Sequence, residues 1–81
     1  MDDTQIHDHI EQLVAEEQGL YEKAGHGEEL GDAERVRLDA IKVELDRYWD
    51  LLRQRKALQE FGRDPDGASL RSADTVENYE G

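Results

Sequence analysis

The stretch Leu38-Asp39-Ala40-Ile41-Lys42-Val43-Glu44-Leu45-Asp46-Arg47-Tyr48-Trp49-Asp50-Leu51-Leu52 decides the fold. Its large apolar residues Leu38, Ile41, Leu45, Tyr48 and Leu52 are spaced by alternating steps of three and four. That rhythm places them on one stripe of an α-helix and is the heptad pattern of a coiled-coil-like seam. No proline or glycine interrupts residues 32–61, so the spacing predicts one helix over about that range. At 1.5 Å per residue it is about 43 Å long. A second row, Ala40, Leu51, Leu58 and Phe61, lies beside the stripe, and Trp49 lies on its opposite edge. Gly62 ends the helix, and Asp64-Pro65-Asp66-Gly67 reads as a turn that prevents its continuation. At the other end Gly31 or Asp32 is the cap.

Upstream, Ile6, Ile10, Leu13 and Leu20 repeat the same rhythm if Glu17 and Ala24 are counted in the seam. They predict a first helix over about 3–24, capped by Asp2, Asp3 or Thr4. Gly25-His26-Gly27 stops it, and residues 25–31 form a loop. Two helices joined by so short a loop run antiparallel. Aligning them at the loop sets residue 24 near 32 and residue 3 near 53, which leaves 54–61 without a partner helix. Leu58 and Phe61 on that overhang call for cover, either by the tail (Leu70, Val76, Tyr79) or by a second copy. The tail spans residues 63–81, and Ser72 can cap a short helix over 73–79. The expected fold is therefore all-α: an antiparallel two-helix hairpin, residues 1–62, with a short C-terminal tail. The second helix carries more apolar arc than one neighbour hides. Two hairpins pairing into a four-helix bundle homodimer would cover it.

Composition sets the limits. The 81 residues form one domain with a small core, and there are no cysteines to staple it or to bind zinc. A net charge of -11 disfavours nucleic acid and anionic membranes as partners. No stretch approaches the length of a membrane span, and Met1-Asp2-Asp3-Thr4 lacks the basic start of a signal peptide. The expected location is cytoplasmic. The first helix is acidic and the second mildly basic, which favours their pairing. The run Arg53-Gln54-Arg55-Lys56 stands where it can hold the acidic tail (Asp74, Glu77, Glu80) or the acidic N-terminus.

Chemistry-bearing constellations are sparse. His7 and His9 are two apart and point to different faces, and His7 with Glu11 is too few ligands for a metal. His26 lies in the loop beside Glu28 and Glu29. Ser69, Ser72, Thr4 and Thr75 have no base fixed beside them. Gly25-His26-Gly27 lacks the strand, the third glycine and the lysine of a phosphate loop. No catalytic residue, cofactor or metal ligand is assigned, and the chain is expected not to be an enzyme.

The remaining candidates are contact surfaces. Tyr48 and Trp49 form an aromatic pair suited to anchoring a partner. With Leu45, Leu52, Leu58 and Phe61, and the basic Arg53, Arg55 and Lys56, they make the candidate interaction face. Glu28, Glu29 and Asp32 form an acidic hairpin tip of the kind that proteins inserting into an RNA polymerase channel use to hold magnesium.

The string Leu45-Asp46-Arg47-Tyr48-Trp49-Asp50-Leu51-Leu52-Arg53-Gln54-Arg55, with Phe61-Gly62 and Asp64-Pro65-Asp66, resembles a small family of high-GC Gram-positive bacteria, domain of unknown function 2630. The opening Ile6-His7-Asp8-His9-Ile10-Glu11-Gln12-Leu13-Val14-Ala15-Glu16-Glu17 and the closing Val76-Glu77-Asn78-Tyr79 are similar too. Gly31-Asp32 departs from the Ser-Pro expected to open the second helix. The resemblance implies a small actinobacterial-type cytoplasmic protein and carries over no functional residues. Two functions follow as expectations: a structural or adaptor module working through protein–protein contact, or a regulator of a larger machine acting through the acidic tip.

Overall fold

A computed structural model describes residues 1–25 and 29–72. Helix α1 spans Asp3–Gly25 and helix α2 spans Asp32–Glu60. A single 3-10 turn, Pro65–Gly67, follows. The described residues contain no strand. His26 and Glu28 of the loop lie outside them, as does the expected helix over 73–79.

Both helix starts are built from local sequence. The Asp2 carboxylate accepts the Gln5 N–H at 2.8 Å, and the Gln5 side chain accepts the Asp2 N–H at 2.9 Å. This reciprocal pair satisfies two donors that a helix start would otherwise leave unbonded. At α2 only half of that device exists. The Glu34 carboxylate accepts the Gly31 N–H at 3.1 Å, and the glycine has no side chain to return the bond.

The helices pack antiparallel, and the contacts fix the register. Asp3 meets Arg55, His7 meets Trp49, His9 meets Tyr48, Glu16 meets Arg37, and Lys23 meets Glu34. Ile6, Ile10, Leu13, Leu38, Ile41 and Leu51 are buried between them. The buried line on α2 is not the even heptad stripe. It passes from Leu38 and Ile41 to Leu51 and Arg55, while Leu45, Tyr48 and Leu52 remain half-buried. The chain after α2 accounts for the difference: Ala68 packs on Leu51 with Ile6 and Ile10, and Arg55 is enclosed by Asp3, Pro65 and Asp66, so this side of the helix is covered as well as the face meeting α1.

The overhang is covered from its own chain. Gly67 lies against Leu58, and Ala68 packs on the core formed by Ile6, Ile10 and Leu51. Phe61 is the exception to the expected burial, at 80% exposed. It is the last residue before the chain turns away at Gly62, and among the described residues no segment crosses it.

Candidate interaction surface

The hairpin has two long edges, and they differ in chemistry. On one edge α1 and α2 are stitched by charge. Lys23 pairs with Glu34 at 2.8 Å, and Arg37 donates to both carboxylate oxygens of Glu16, the longer bond being 2.9 Å. Arg37 also lies 3.8 Å from Glu44. These hydrogen bonds set the proton affinities. Arg37 lowers the pKa of Glu16, and Lys23, helped by the Gly31 N–H, lowers that of Glu34. Near the open end of this edge the His9 ring tilts onto Tyr48 with centroids 4.3 Å apart.

The opposite edge is apolar and aromatic. His7, Val14 and Tyr21 are seven apart on α1 and form one stripe. Facing them on α2 are Lys42, Leu45, Trp49 and Leu52. Trp49 is 44% exposed and Tyr21 is 48% exposed, while Val14, Leu45 and Leu52 are half-buried against the core. The His7 imidazole meets the Trp49 ring edge-on at 6.2 Å, and the Lys42 ammonium stands 5.8 Å from the Tyr21 ring centre. Among the described residues no ion pair crosses this edge with a distance comparable to those of the stitched one. Rings held by neighbours on one side and open on the other are suited to contact with another apolar surface.

The remaining sequence candidates scatter. Arg53 and Lys56 are exposed, whereas Arg55, between them, is buried. Its guanidinium donates to the Asp3 carboxylate, to Asp66 at 2.9 Å and to the Pro65 carbonyl at 3.3 Å. The basic run is thus no single surface: its middle member clasps the start of α1 to the turn after α2. Leu58 is half-buried, and Phe61 lines a shallow groove with Ala57, Leu58 and Ala68. Of the acidic tip, Glu29 and Asp32 are exposed and Glu28 lies outside the described residues. Among the described residues no three histidine, aspartate or glutamate side chains gather where they would hold a metal.

Sequence reasoning left out of the candidate face the α1 side of the aromatic edge, Val14 and Tyr21. The signal was present in their seven-residue spacing from each other and from His7. It also placed Arg55 on the candidate face, whereas its other expectation for the basic run, holding the acidic N-terminus, is what Arg55 does with Asp3. The burial of Arg55 and its bonds to Asp66 and the Pro65 carbonyl appear only in three dimensions.

The geometry defines a class: a single-layer helical hairpin with one edge closed by ion pairs and one left apolar. The family model described as "Protein of unknown function (DUF2630)" matches residues 2–81, and the chain belongs to that family. It is 49% identical over 73 residues to an uncharacterized protein of Mycobacterium tuberculosis, covering 90% of this chain and 84% of that one. An uncharacterized protein of Mycobacterium bovis matches with the same identity and coverage. No solved structure matches the chain. Among the described residues no helix is long and apolar enough to cross a membrane.

Proposed function

We propose that this chain is a non-enzymatic interaction module whose working form is a homodimer in the cytoplasm. Two hairpins pair along their aromatic edges into a four-helix bundle, and the bundle presents its polar surfaces to another protein. The observation that carries this reading is Trp49. A large ring sits half-exposed in the middle of a helix, flanked by half-buried Leu45 and Leu52 and faced by His7, with Val14 and Tyr21 further along the same edge. Burying a side chain of this size stabilises by roughly 1.5–3 kcal/mol, so a dimer that covers several of them has a clear driving force. The carboxylates with moved proton affinities, Glu16 and Glu34, are engaged in ion pairs between the helices, which suits scaffolding rather than proton transfer.

Sedimentation equilibrium on the wild type and on a Trp49→Asp/Leu52→Asp variant tests this. The expected result is a wild-type dimer and a folded, helical monomeric variant. A wild type that stays monomeric across the concentration range sinks the reading.

A second reading, a regulator docking its hairpin tip into a larger machine such as RNA polymerase, draws support from exposed Glu29 and Asp32 at the end of the hairpin. Replacing both with Ala would remove such an effect on transcription while leaving helicity intact. Glu34 beside them does not add to this charge, because it is held by Lys23 and the Gly31 N–H.

A further inference from the structure

Helix α2 carries a second regular stripe on the side away from α1. Val36, Ala40, Val43, Arg47, Asp50 and Gln54 follow one another in steps of four and three, so they share a face. The half of this stripe nearer the C-terminus is occupied by residues 69–71 of the same chain. The Gln54 side-chain amide donates to the Ser69 carbonyl at 2.8 Å, and the Arg47 Nε donates to the Arg71 carbonyl at 2.9 Å. The Arg71 guanidinium reaches back to Asp50 at 3.6 Å. These contacts also give a direction. Gly67 lies at Leu58, Ser69 at Gln54, and Arg71 at Asp50 and Arg47. The strap climbs the stripe toward the N-terminus of α2.

Beyond Arg47 the stripe turns apolar and is open. Val36 is 69% exposed, and Ala40 and Val43 are partly so. The chain continues past the strap for the nine residues 73–81, among them Val76 and Tyr79. Reach can be tested without assuming any conformation. From the level of Arg47, Val43 is about 6 Å along the helix, Ala40 about 10 Å and Val36 about 16 Å. Nine residues span about 13 Å if coiled as a helix and about 30 Å if extended. Every conformation between these limits that keeps the strap's heading passes Val43 and Ala40.

We propose that residues 73–81 dock on the Val36–Ala40–Val43 strip of α2 in the same molecule, with Val76 and Tyr79 as its apolar contacts. A segment tethered at the strip's edge is present there at millimolar effective concentration, which a second copy reaches only when the protein itself is that concentrated. The docking completes the rear of α2 and leaves the Trp49 edge as the apolar face open to a partner. It goes beyond the homodimer reading and does not depend on it.

The absence of cysteine makes a single label unambiguous. A nitroxide on Glu80→Cys, which spares Val76 and Tyr79, is placed in full-length protein, and amide signals are compared with those of the reduced label. Signals of Ala40 and Val43 are expected to weaken severalfold, while those of Glu11 and Gln18 on α1 do not change. Adding Val76→Ser and Tyr79→Ser should restore the signals. Unweakened signals at Ala40 and Val43 overturn the proposal, as does weakening that survives the two serines. So does weakening that appears when labelled protein is mixed with unlabelled, isotope-enriched protein, since a second copy would then supply the segment. Repeating the experiment in a Trp49→Asp background separates this outcome from the fate of the dimer.

Discussion

Arg55 is the charged side chain that the fold buries, and its position explains how a chain with so small a core closes its open end. A buried cation is costly unless it is paired and hydrogen-bonded. Here two carboxylates from distant parts of the chain and one carbonyl meet the planar fork. Arg55→Lys is therefore not a mild change, because a point charge cannot hold Asp3, Asp66 and the Pro65 carbonyl together. Thermal unfolding followed by circular dichroism should show a clear fall in Tm for Arg55→Lys and none for Arg53→Lys. Equal effects would mean that the clasp contributes nothing special. The stitched edge makes a pH prediction. Glu16 and Glu34 have folded-state pKa values below the ordinary 4.5, lowered by hydrogen bonds from Arg37 and Lys23. A lowered folded pKa means that the folded state favours the charged form. Its contribution is complete above the ordinary value and is lost as pH falls through the lower folded one. A Glu16→Gln/Glu34→Gln variant should have a lower Tm than the wild type at neutral pH, and the gap should close in acid once the wild-type carboxylates are protonated. A gap that stays constant with pH would assign the effect to packing rather than to charge.

At the scale of elements, the end of α2 is the most specific piece of local design. The Gly62 N–H bonds to the Gln59 carbonyl and the Arg63 N–H to the Leu58 carbonyl, at 3.1 and 2.7 Å. This is the paired C-terminal bonding that requires a left-handed residue, and Gly62 has φ +71°. Gly62→Ala should cost about 1 kcal/mol in urea unfolding, since a Cβ is strained there. Gly67→Ala, with ordinary φ and a Cβ that would meet Leu58 only at an ordinary contact distance of 3.9 Å, serves as the control and should be close to neutral. A Gly62 variant as stable as the control would mean that the cap is not formed in solution. The helices were legible because their signals are local: heptad spacing, glycine stops and acidic caps all lie within a few residues. The antiparallel register followed from the short loop. What was not legible came from long-range meetings. The full burial of Leu51, beside half-buried Leu45 and Leu52, depends on Ala68 returning to pack on it from the far end of α2. The clasp at Arg55 joins residues separated by most of the chain. The rear stripe from Val36 to Gln54 was hidden because Arg47, Asp50 and Gln54 look like solvent-facing residues until the strap is seen lying on them. Phe61, read as wanting cover, is left open by the described residues because the chain leaves the helix at that point.

At the scale of the molecule, the dimensions are 51 × 26 × 17 Å. The shortest is little more than one helix with its side chains, so the hairpin is a single layer. Stable domains bury their apolar faces between two layers, and among the described residues only six apolar ones are buried. A second hairpin laid on the aromatic edge would supply the missing layer. If the second layer comes from another copy, folding and association are linked, and stability depends on protein concentration. The Tm of the wild type should therefore fall on serial dilution. The Tm of Trp49→Asp should be lower and independent of dilution, because its charge cannot be buried against a second apolar edge. Differential scanning calorimetry over a hundredfold range of concentration reads both. A wild-type Tm that does not move on dilution would mean that one layer suffices, with the Trp49 edge open to a different protein.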